Sequence, residues 1–155
     1  MKKIIYFLLY CILLESCQSQ KKAASAEDKN FEQRASDPKK YLLGNWILIE
    51  RNYWDGNIKK NYLLHDCEKK YTLNFIKEKE EFFLTKNYVG GKNCDIKSNS
   101  GRILVSIHEG FFSYLDVDLK RNERYEIISE NKFSIIYNEI LEGKVREIED
   151  VYKRF

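Results

Sequence analysis

The amino-acid sequence predicts an all-β protein, an antiparallel meander that closes into a small β-barrel of about eight to ten strands. Short runs rich in β-branched and aromatic residues recur after residue 40, and tight-turn residues separate them. No helical periodicity is long enough for a βαβ crossover. A meander of this many strands protects its edges best by closing into a barrel. A β-sandwich is the alternative that the strand count alone leaves open.

Length and charge narrow the possibilities further. The 155 residues, with one proline and seven glycines, suffice for one domain without a second core. Lys and Arg number 27 against 24 Asp and Glu, and both signs of charge are interleaved, as over Lys77 to Glu81. That pattern is typical of a solvated hairpin tip. We therefore predict no nucleic-acid partner.

The first 16 residues have the features of an export signal. Met1-Lys2-Lys3 is positively charged, and the apolar run from Ile4 to Leu14 is too short to span a bilayer comfortably. The segment ends in Leu14-Glu15-Ser16-Cys17, which resembles a bacterial lipobox. The resemblance implies that residues 1–16 are a lipoprotein signal peptide and that Cys17 carries acyl chains such as palmitate. Ordinary secretion with a free Cys17 and an uncleaved anchor are the alternatives.

Residues 17–36 are polar, nearly free of aromatic residues, and carry both Lys and Glu. This composition predicts a flexible tether. Several acyl chains hold a protein on a bilayer stably, whereas one chain does so only marginally. In the lipoproteins that this segment resembles, Gln18 after the cysteine is compatible with transfer to the outer membrane. The expected location is the bacterial envelope, at the periplasmic or the surface face of the outer membrane.

Residues 37–155 form the predicted barrel domain, which opens on a short Pro-initiated turn from Asp37 to Leu42. A Gly-x-Trp motif follows, made by Gly44 and Trp46 at the entry of the first strand. The glycine lets the chain bend tightly and lay the indole across the closed end of a small barrel. The alternative interpretation of the same motif is a core tryptophan that follows a turn glycine.

The domain resembles the lipocalin-like lipoproteins of Bacteroidetes-type bacteria, whose domains open with such a Gly-x-Trp strand. The resemblance covers Tyr41 to Phe155. It implies a lipocalin-like barrel and an envelope location. It also implies that a basic residue near the end of the last strand packs across the tryptophan, which assigns Arg154 to the indole of Trp46.

Turn signals divide the domain into nine candidate strands. The first, Trp46 to Trp54, runs into Asp55-Gly56, a hairpin signal that needs positive φ, and the chain returns through Asn57 to Leu64. The segment from Asn87 to Gly101 lacks periodicity and is predicted to be a long loop that something must fasten. The other candidate strands lie over residues 71–75, 82–85, 103–107, 111–119, 125–128, 133–140 and 144–154.

The strand over residues 111–119 has two different faces and is predicted to end in a turn at Lys120-Arg121-Asn122. One face carries Phe111, Leu115, Val117 and Leu119. The opposite face carries Phe112, Tyr114, Asp116 and Asp118, and we interpret it as the solvated outer face of the sheet. The alternative is that Asp116 and Asp118, with Tyr114, form a carboxylate pair for acid–base chemistry.

Two cysteines remain in the domain, and export exposes them to an oxidising compartment. We therefore expect a disulfide between Cys67 and Cys94, which would fasten the long loop to the start of the second hairpin. The alternative is a metal site using His65, both cysteines and His108. Its spacing lacks the paired Cys-x-x-Cys or His-x-x-x-His of known zinc sites, so we predict no metal and no cofactor.

Enzyme activity is not indicated. The triplet His65-Asp66-Cys67 invites a nucleophile assignment, but adjacent residues on a strand or turn point in different directions. We therefore predict that the protein is not an enzyme.

The leading functional hypothesis is a lipid-anchored envelope barrel that binds a small apolar or amphipathic molecule. The candidate ligand lining is Trp46, Leu48 and Trp54, which share a parity on the first strand with Glu50 and Asn52. The alternative is an envelope protein-binding module, an inhibitor or accessory subunit, whose barrel is filled by side chains. Such a module would use the Gly90-Gly91 loop and exposed aromatic residues such as Tyr88.

Overall fold

The computed structural model describes residues 37–155, of which 69% lie in β-strands. The predicted signal peptide, the tether and Cys17 lie outside the described residues. The elements, in chain order, are α1 (Pro38–Leu42), β1 (Gly44–Asp55), β2 (Ile58–Tyr62), a 3₁₀ helix (Glu68–Lys70), β3 (Thr72–Glu78), β4 (Glu81–Gly90), β5 (Ile96–Asn99), β6 (Ile103–His108), β7 (Phe111–Asp116), β8 (Leu119–Ser129), β9 (Lys132–Leu141) and β10 (Lys144–Arg154). No helix within this part of the chain is long and apolar enough to cross a membrane.

Eight strands close into an antiparallel barrel, which confirms the predicted fold class. Their order is β10-β9-β8-β7-β6-β4-β3-β1, and β10 pairs with β1 to complete the ring. The closing register places Trp46 opposite Arg154 and Tyr53 opposite Ile148. Strands β2 and β5 pair only with β1 and β4 and lie outside the ring. The ladder between β8 and β9 ends at Arg124 and Ile136, so toward the open end Leu119 to Glu123 pair with β7 alone.

One end of the barrel is capped by α1 and filled with aromatic side chains. Asp37 accepts a hydrogen bond from the backbone N–H of Lys40 and begins the helix. The indole Nε1 of Trp46 donates to the carbonyl of Leu42 at 2.7 Å, which ties the first strand to the helix. Trp46 also packs edge-on against Phe133, with ring centroids 4.7 Å apart. Among the described residues, aromatic side chains thus pack the interior at this end.

The other end is open. Because neighbouring strands are antiparallel, three hairpin turns gather there, those of β1–β2, β7–β8 and β9–β10. The connection between β4 and β5, residues 91–95, lies at the same end. These connections form the rim of the open end.

Two predicted boundaries are wrong. The segment from Asn87 to Gly101 is not one long loop, because β4 continues to Gly90 and Ile96–Asn99 forms β5. The turn predicted at Lys120-Arg121-Asn122 lies instead at Val117 and Asp118, and Val117 has a φ of 57°. A β-branched residue rarely adopts positive φ, so the sequence carries no turn signal at this position.

The predicted outer face of β7 is also wrong. Phe112 and Tyr114 are 0% and 5% exposed and belong to the barrel core, whereas Leu115 and Val117 are 65% and 89% exposed. Both faces of this strand carry large apolar residues, so alternation alone could not tell inside from outside. Closure of the barrel decides it, because the aromatic rings of Phe112 and Phe75 meet inside.

Candidate binding site at the open end of the barrel

Two adjoining cavities occupy the open half of the barrel. The inner chamber has a volume of about 190 Å³, and the outer bowl has a volume of about 950 Å³. They share four lining residues: Lys86, Tyr88, Glu123 and Tyr137. The chamber lies above the aromatic core, and the bowl leads from it to solvent.

One wall of the chamber carries an arginine cluster. Arg51 on β1 donates through Nε and Nη2 to the two carboxylate oxygens of Asp150 on β10, at 2.6 and 2.9 Å. Its Nη1 donates to Glu68 of the 3₁₀ helix at 2.9 Å. Burial lowers the pKa of Arg51, but the hydrogen bonds and charge of Asp150 outweigh it and raise the pKa overall. Arg51 is therefore a permanent cation with two carboxylate partners.

Tyr137 on β9 completes this wall, and its hydroxyl donates to Asp150 at 3.1 Å. Burial, followed by the charge of Asp150, raises the pKa of Tyr137. The phenol therefore stays neutral at physiological pH. With Tyr137 and Arg51, both oxygens of Asp150 are satisfied.

A lysine cluster lies on the β4–β7–β8 side. Lys86 Nζ donates to Glu123 at 2.9 Å and hydrogen-bonds the hydroxyl of Tyr114, which in turn donates to Glu123. Burial and the Glu123 charge raise the pKa of Tyr114. Both donors reach the same oxygen, Oε1 of Glu123. Within residues 37–155, the second oxygen, Oε2, receives no hydrogen bond.

Tyr152 lines the chamber with a hydroxyl that has no hydrogen-bond partner among the described residues. The side chain is 7% exposed and its ring stacks on Phe133, 5.5 Å away. Burial first, and then nearby charges that include Glu123, raise its pKa well above the ordinary value. A buried tyrosine usually bonds its hydroxyl to a partner, so this one is available to a ligand or to water.

Tyr71 and Tyr88 supply aromatic surface to the same chamber. Their rings meet edge to face, with centroids 5.5 Å apart. Tyr88 is 41% exposed because it stands between the chamber and the bowl. The exposed aromatic residue expected at Tyr88 is therefore part of the cavity wall.

The acids in the site outnumber the bases by a small margin. In the bowl, Lys86, Arg121 and Arg124 face four carboxylates: Asp116, Glu123, Glu139 and Glu147. In the chamber, Arg51 and Lys86 face Asp150 and Glu123, and Glu68 adds a third carboxylate through Arg51. The bowl lining therefore has one more carboxylate than cations, whereas the charged residues that line the chamber balance, with Glu68 outside the lining.

The residues predicted to line a ligand site do not come together there. Trp46 and Leu48 are buried in the capped half of the barrel. Trp54 is half-buried, with Lys59 Nζ 5.2 Å from its ring centroid, and lines neither cavity. A β-bulge between Leu48 and Glu50 reverses the inward parity, so that Arg51 points into the barrel in place of Glu50.

Cys67 and Cys94 form a disulfide with an S–S distance of 2.07 Å, as predicted. The bond ties the 3₁₀ helix to the 91–95 connection at the open end. His65 lies beside the bond and accepts a hydrogen bond through Nδ1 from the N–H of Cys67. These three side chains are close enough to hold a metal ion, but the disulfide occupies both thiols. His108 stacks on Phe111 at the capped end.

The fold and the cavity define an eight-stranded antiparallel barrel with a polar chamber open to solvent. No protein-family model matches this chain, and no curated protein matches it either.

Proposed function

We propose that the protein is a lipid-anchored, lipocalin-like protein of the bacterial envelope that binds a small amphipathic molecule in the open half of its barrel. The observation that carries the proposal is Tyr152, a residue that is 7% exposed, lines a chamber with aromatic walls, and has a hydroxyl without a hydrogen-bond partner within residues 37–155. Ligand sites usually combine apolar walls with a few fixed polar groups. The chamber together with the bowl offers both.

A wholly apolar ligand suits this interior poorly. It would cover the ion pairs of Arg51 and Lys86 without replacing the water that solvates their remaining polar atoms, and that desolvation is costly. An amphipathic molecule avoids the cost, because its polar group can face these pairs while its apolar part contacts the tyrosine rings.

The envelope anchor rests on the sequence of the leader. The apolar run, the small residue Ser16, Cys17 and the polar segment that follows occur in the order expected of a lipoprotein. Replacing Cys17 with Ser should move the protein from the membrane fraction to the soluble fraction. A Cys17→Ser protein that stays in the membrane fraction would rule out acyl anchoring.

The rival function, a protein-binding module, has one specific observation in its favour. Leu115, Val117 and Leu119 project from the β7–β8 hairpin at the rim of the open end, and each is more than half exposed. Val117 has positive φ, a strained conformation for a β-branched residue, and such strain is concentrated at functional positions. A partner that covers this hairpin would also close the bowl.

Native mass spectrometry of the full-length Cys17→Ser protein separates the two functions. A ligand carrier should release a small molecule on denaturation, and Tyr152→Phe should lower its occupancy. Tyr53→Phe is the matched control, since the Tyr53 hydroxyl also has no hydrogen-bond partner within residues 37–155 and Tyr53 lines neither cavity. Absence of any small molecule, together with a protein partner retained in a mild-detergent pull-down, would favour the module.

A further inference from the structure

We infer that the polar group of the ligand is an organic ammonium, held in the chamber between the hydroxyl of Tyr152 and the carboxylate of Glu123. This inference rests on the proposed amphipathic ligand and specifies the charge of its head group. It follows from three features of the open half of the barrel: its charge balance, the binding of the Lys86 ammonium there, and the oxygen atoms that accept no hydrogen bond within residues 37–155.

The charge balance disfavours an anionic head group. Both cations that face the chamber already have carboxylate partners, Arg51 with Asp150 and Glu68 and Lys86 with Glu123, at 2.6 to 2.9 Å. An anion would have to displace one of these carboxylates or approach them without compensation. The bowl lining has four carboxylates against three cations and the chamber lining has two of each, so a cation improves the balance and an anion worsens it.

The site already binds an ammonium of its own. The Lys86 ammonium is held by one carboxylate oxygen of Glu123 and the phenol oxygen of Tyr114. Its side chain is 17% exposed, so much of its hydration is replaced by these two groups. A carboxylate and a tyrosine are therefore a sufficient environment for one alkylammonium in this barrel.

Two further acceptors of the same chemical kind belong to residues that line the chamber. They are Glu123 Oε2 and the hydroxyl of Tyr152, and neither takes part in a hydrogen bond within residues 37–155. The rings of Tyr71 and Tyr88 also line the chamber. Aromatic faces attract cations, including quaternary ammonium groups that have no N–H to donate.

The volumes suit a head group with a tail. The inner chamber of about 190 Å³ accommodates a small ammonium group, and the outer bowl of about 950 Å³ accommodates an alkyl chain lying toward solvent. The opposite orientation would place the apolar chain on the ion pairs of Arg51 and Lys86.

Three amphiphiles with the same ten-carbon chain test the inference: decylammonium, decyl sulfate and decyl maltoside. Each is titrated calorimetrically, below its critical micelle concentration, into the full-length Cys17→Ser protein. We expect the ammonium compound to bind about tenfold more tightly than the sulfate, with the uncharged maltoside between them.

Charge-neutralising variants then locate the site. Glu123→Gln should weaken decylammonium binding by about tenfold and leave the maltoside nearly unchanged. Asp116→Asn at the rim of the bowl should weaken it by about two- to fivefold. Asp118→Asn is the matched control, because Asp118 lies two residues further on and lines neither cavity. If the circular-dichroism spectrum shows that Glu123→Gln is unfolded, the ammonium affinities of Asp116→Asn and Asp118→Asn test the inference instead.

The outcomes distinguish this inference from the proposed function. Equal or tighter binding of decyl sulfate overturns the ammonium assignment while leaving an amphipathic ligand site in place. An ammonium affinity that Glu123→Gln and Asp116→Asn leave unchanged also overturns it. If none of the three amphiphiles binds, the proposed function fails and the inference fails with it.

Discussion

The guanidinium of Arg154 lies over the indole of Trp46, with Cζ 4.1 Å from the ring centroid. The two residues are cross-strand partners at the seam where β10 closes on β1. Arg154 also donates to the backbone carbonyls of Leu43 and Tyr41, so it joins the seam to the capping helix. Arg154 thus links the first strand, the last strand and the capping helix at the capped end.

We predict that Trp46→Phe and Arg154→Ala are energetically coupled. An arginine over an indole is worth about 0.5 to 2 kcal/mol, and residues in contact share their loss. In a double-mutant cycle measured by urea unfolding, the coupling should therefore fall in that range. Arg154→Ala alone should cost more than the coupling, because it also leaves two carbonyl groups without their donor.

Lys153→Ala is the control for this cycle. Lys153 is exposed and points away from the barrel interior, so its removal should change the free energy of unfolding by less than about 0.5 kcal/mol. A Trp46–Arg154 coupling below about 0.3 kcal/mol would mean that the contact does not stabilise the barrel end.

Gly44 should not tolerate a side chain. Its φ is 119°, and a Cβ at this position would lie 2.8 Å from Arg154 Nη1. We expect Gly44→Ala to lower the free energy of unfolding by about 1 to 3 kcal/mol, through backbone strain and displacement of the guanidinium. Gly90→Ala is the matched control, because Gly90 ends β4 with open space around it. Equal losses in the two variants would contradict this assignment.

Removing the disulfide should loosen the open end more than the rest of the barrel. The bond closes a separation of 27 residues, so on the chain-entropy model Cys67→Ala with Cys94→Ala costs about 3.5 kcal/mol. Hydrogen exchange should accelerate first in residues 91–95 and in the 3₁₀ helix, since few buried apolar side chains hold them. Equal acceleration in β9 and β10 would show instead that the bond stabilises the barrel as a whole.

The sequence predicts the fold better than the site, for identifiable physical reasons. Asp55-Gly56 and Glu142-Gly143 mark true hairpins because glycine adopts the positive φ that both turns use. Val117 makes an equivalent turn without any glycine, so its position followed only from the pairing of β7 with β8. Side-chain pattern alone therefore misplaced that boundary.

The interior polar groups could not be predicted for a different reason. Alternation along β1 assigned Leu48, Glu50 and Asn52 to one face, but the bulge after Leu48 turns Arg51 inward. No residue type between Leu48 and Glu50 indicates the bulge. The inward positions of Arg51 and Lys86 are explained by their ion pairs with Asp150 and Glu123. These partners are distant in sequence and come into contact only when the barrel closes.

Asp55 should make the stability of the barrel sensitive to acid. Hydrogen bonds from Lys60 and Arg146 lower its pKa to about 2. Its contribution to the free energy of unfolding is therefore present above the ordinary aspartate pKa of about 3.9 and is lost as the pH falls toward 2. The difference in urea midpoint between the wild type and Asp55→Asn should shrink over this interval. A difference that is constant from pH 6 to pH 2 would contradict the assignment.

At alkaline pH, the buried tyrosines should limit stability. Burial is the largest cause of a raised pKa at Tyr41, Tyr88, Tyr114, Tyr125, Tyr137 and Tyr152, and it raises the pKa of Tyr41 to about 12. In the unfolded chain these phenols ionise near their ordinary pKa of about 10. Above that pH the unfolded state therefore releases protons that the folded state retains, and the free energy of unfolding falls.

Phenolate absorbance followed with pH tests this directly. In denaturant, all the tyrosines should ionise together near pH 10, whereas in buffer the six whose pKa is raised should be missing from that step. They should ionise at higher pH, at the point where circular dichroism reports unfolding, because their neutral form is the one the barrel accommodates. Complete ionisation near pH 10 with an unchanged circular-dichroism spectrum would mean that water reaches these rings. In that case solvent would reach more of the interior than the chamber of about 190 Å³ and the outer bowl of about 950 Å³.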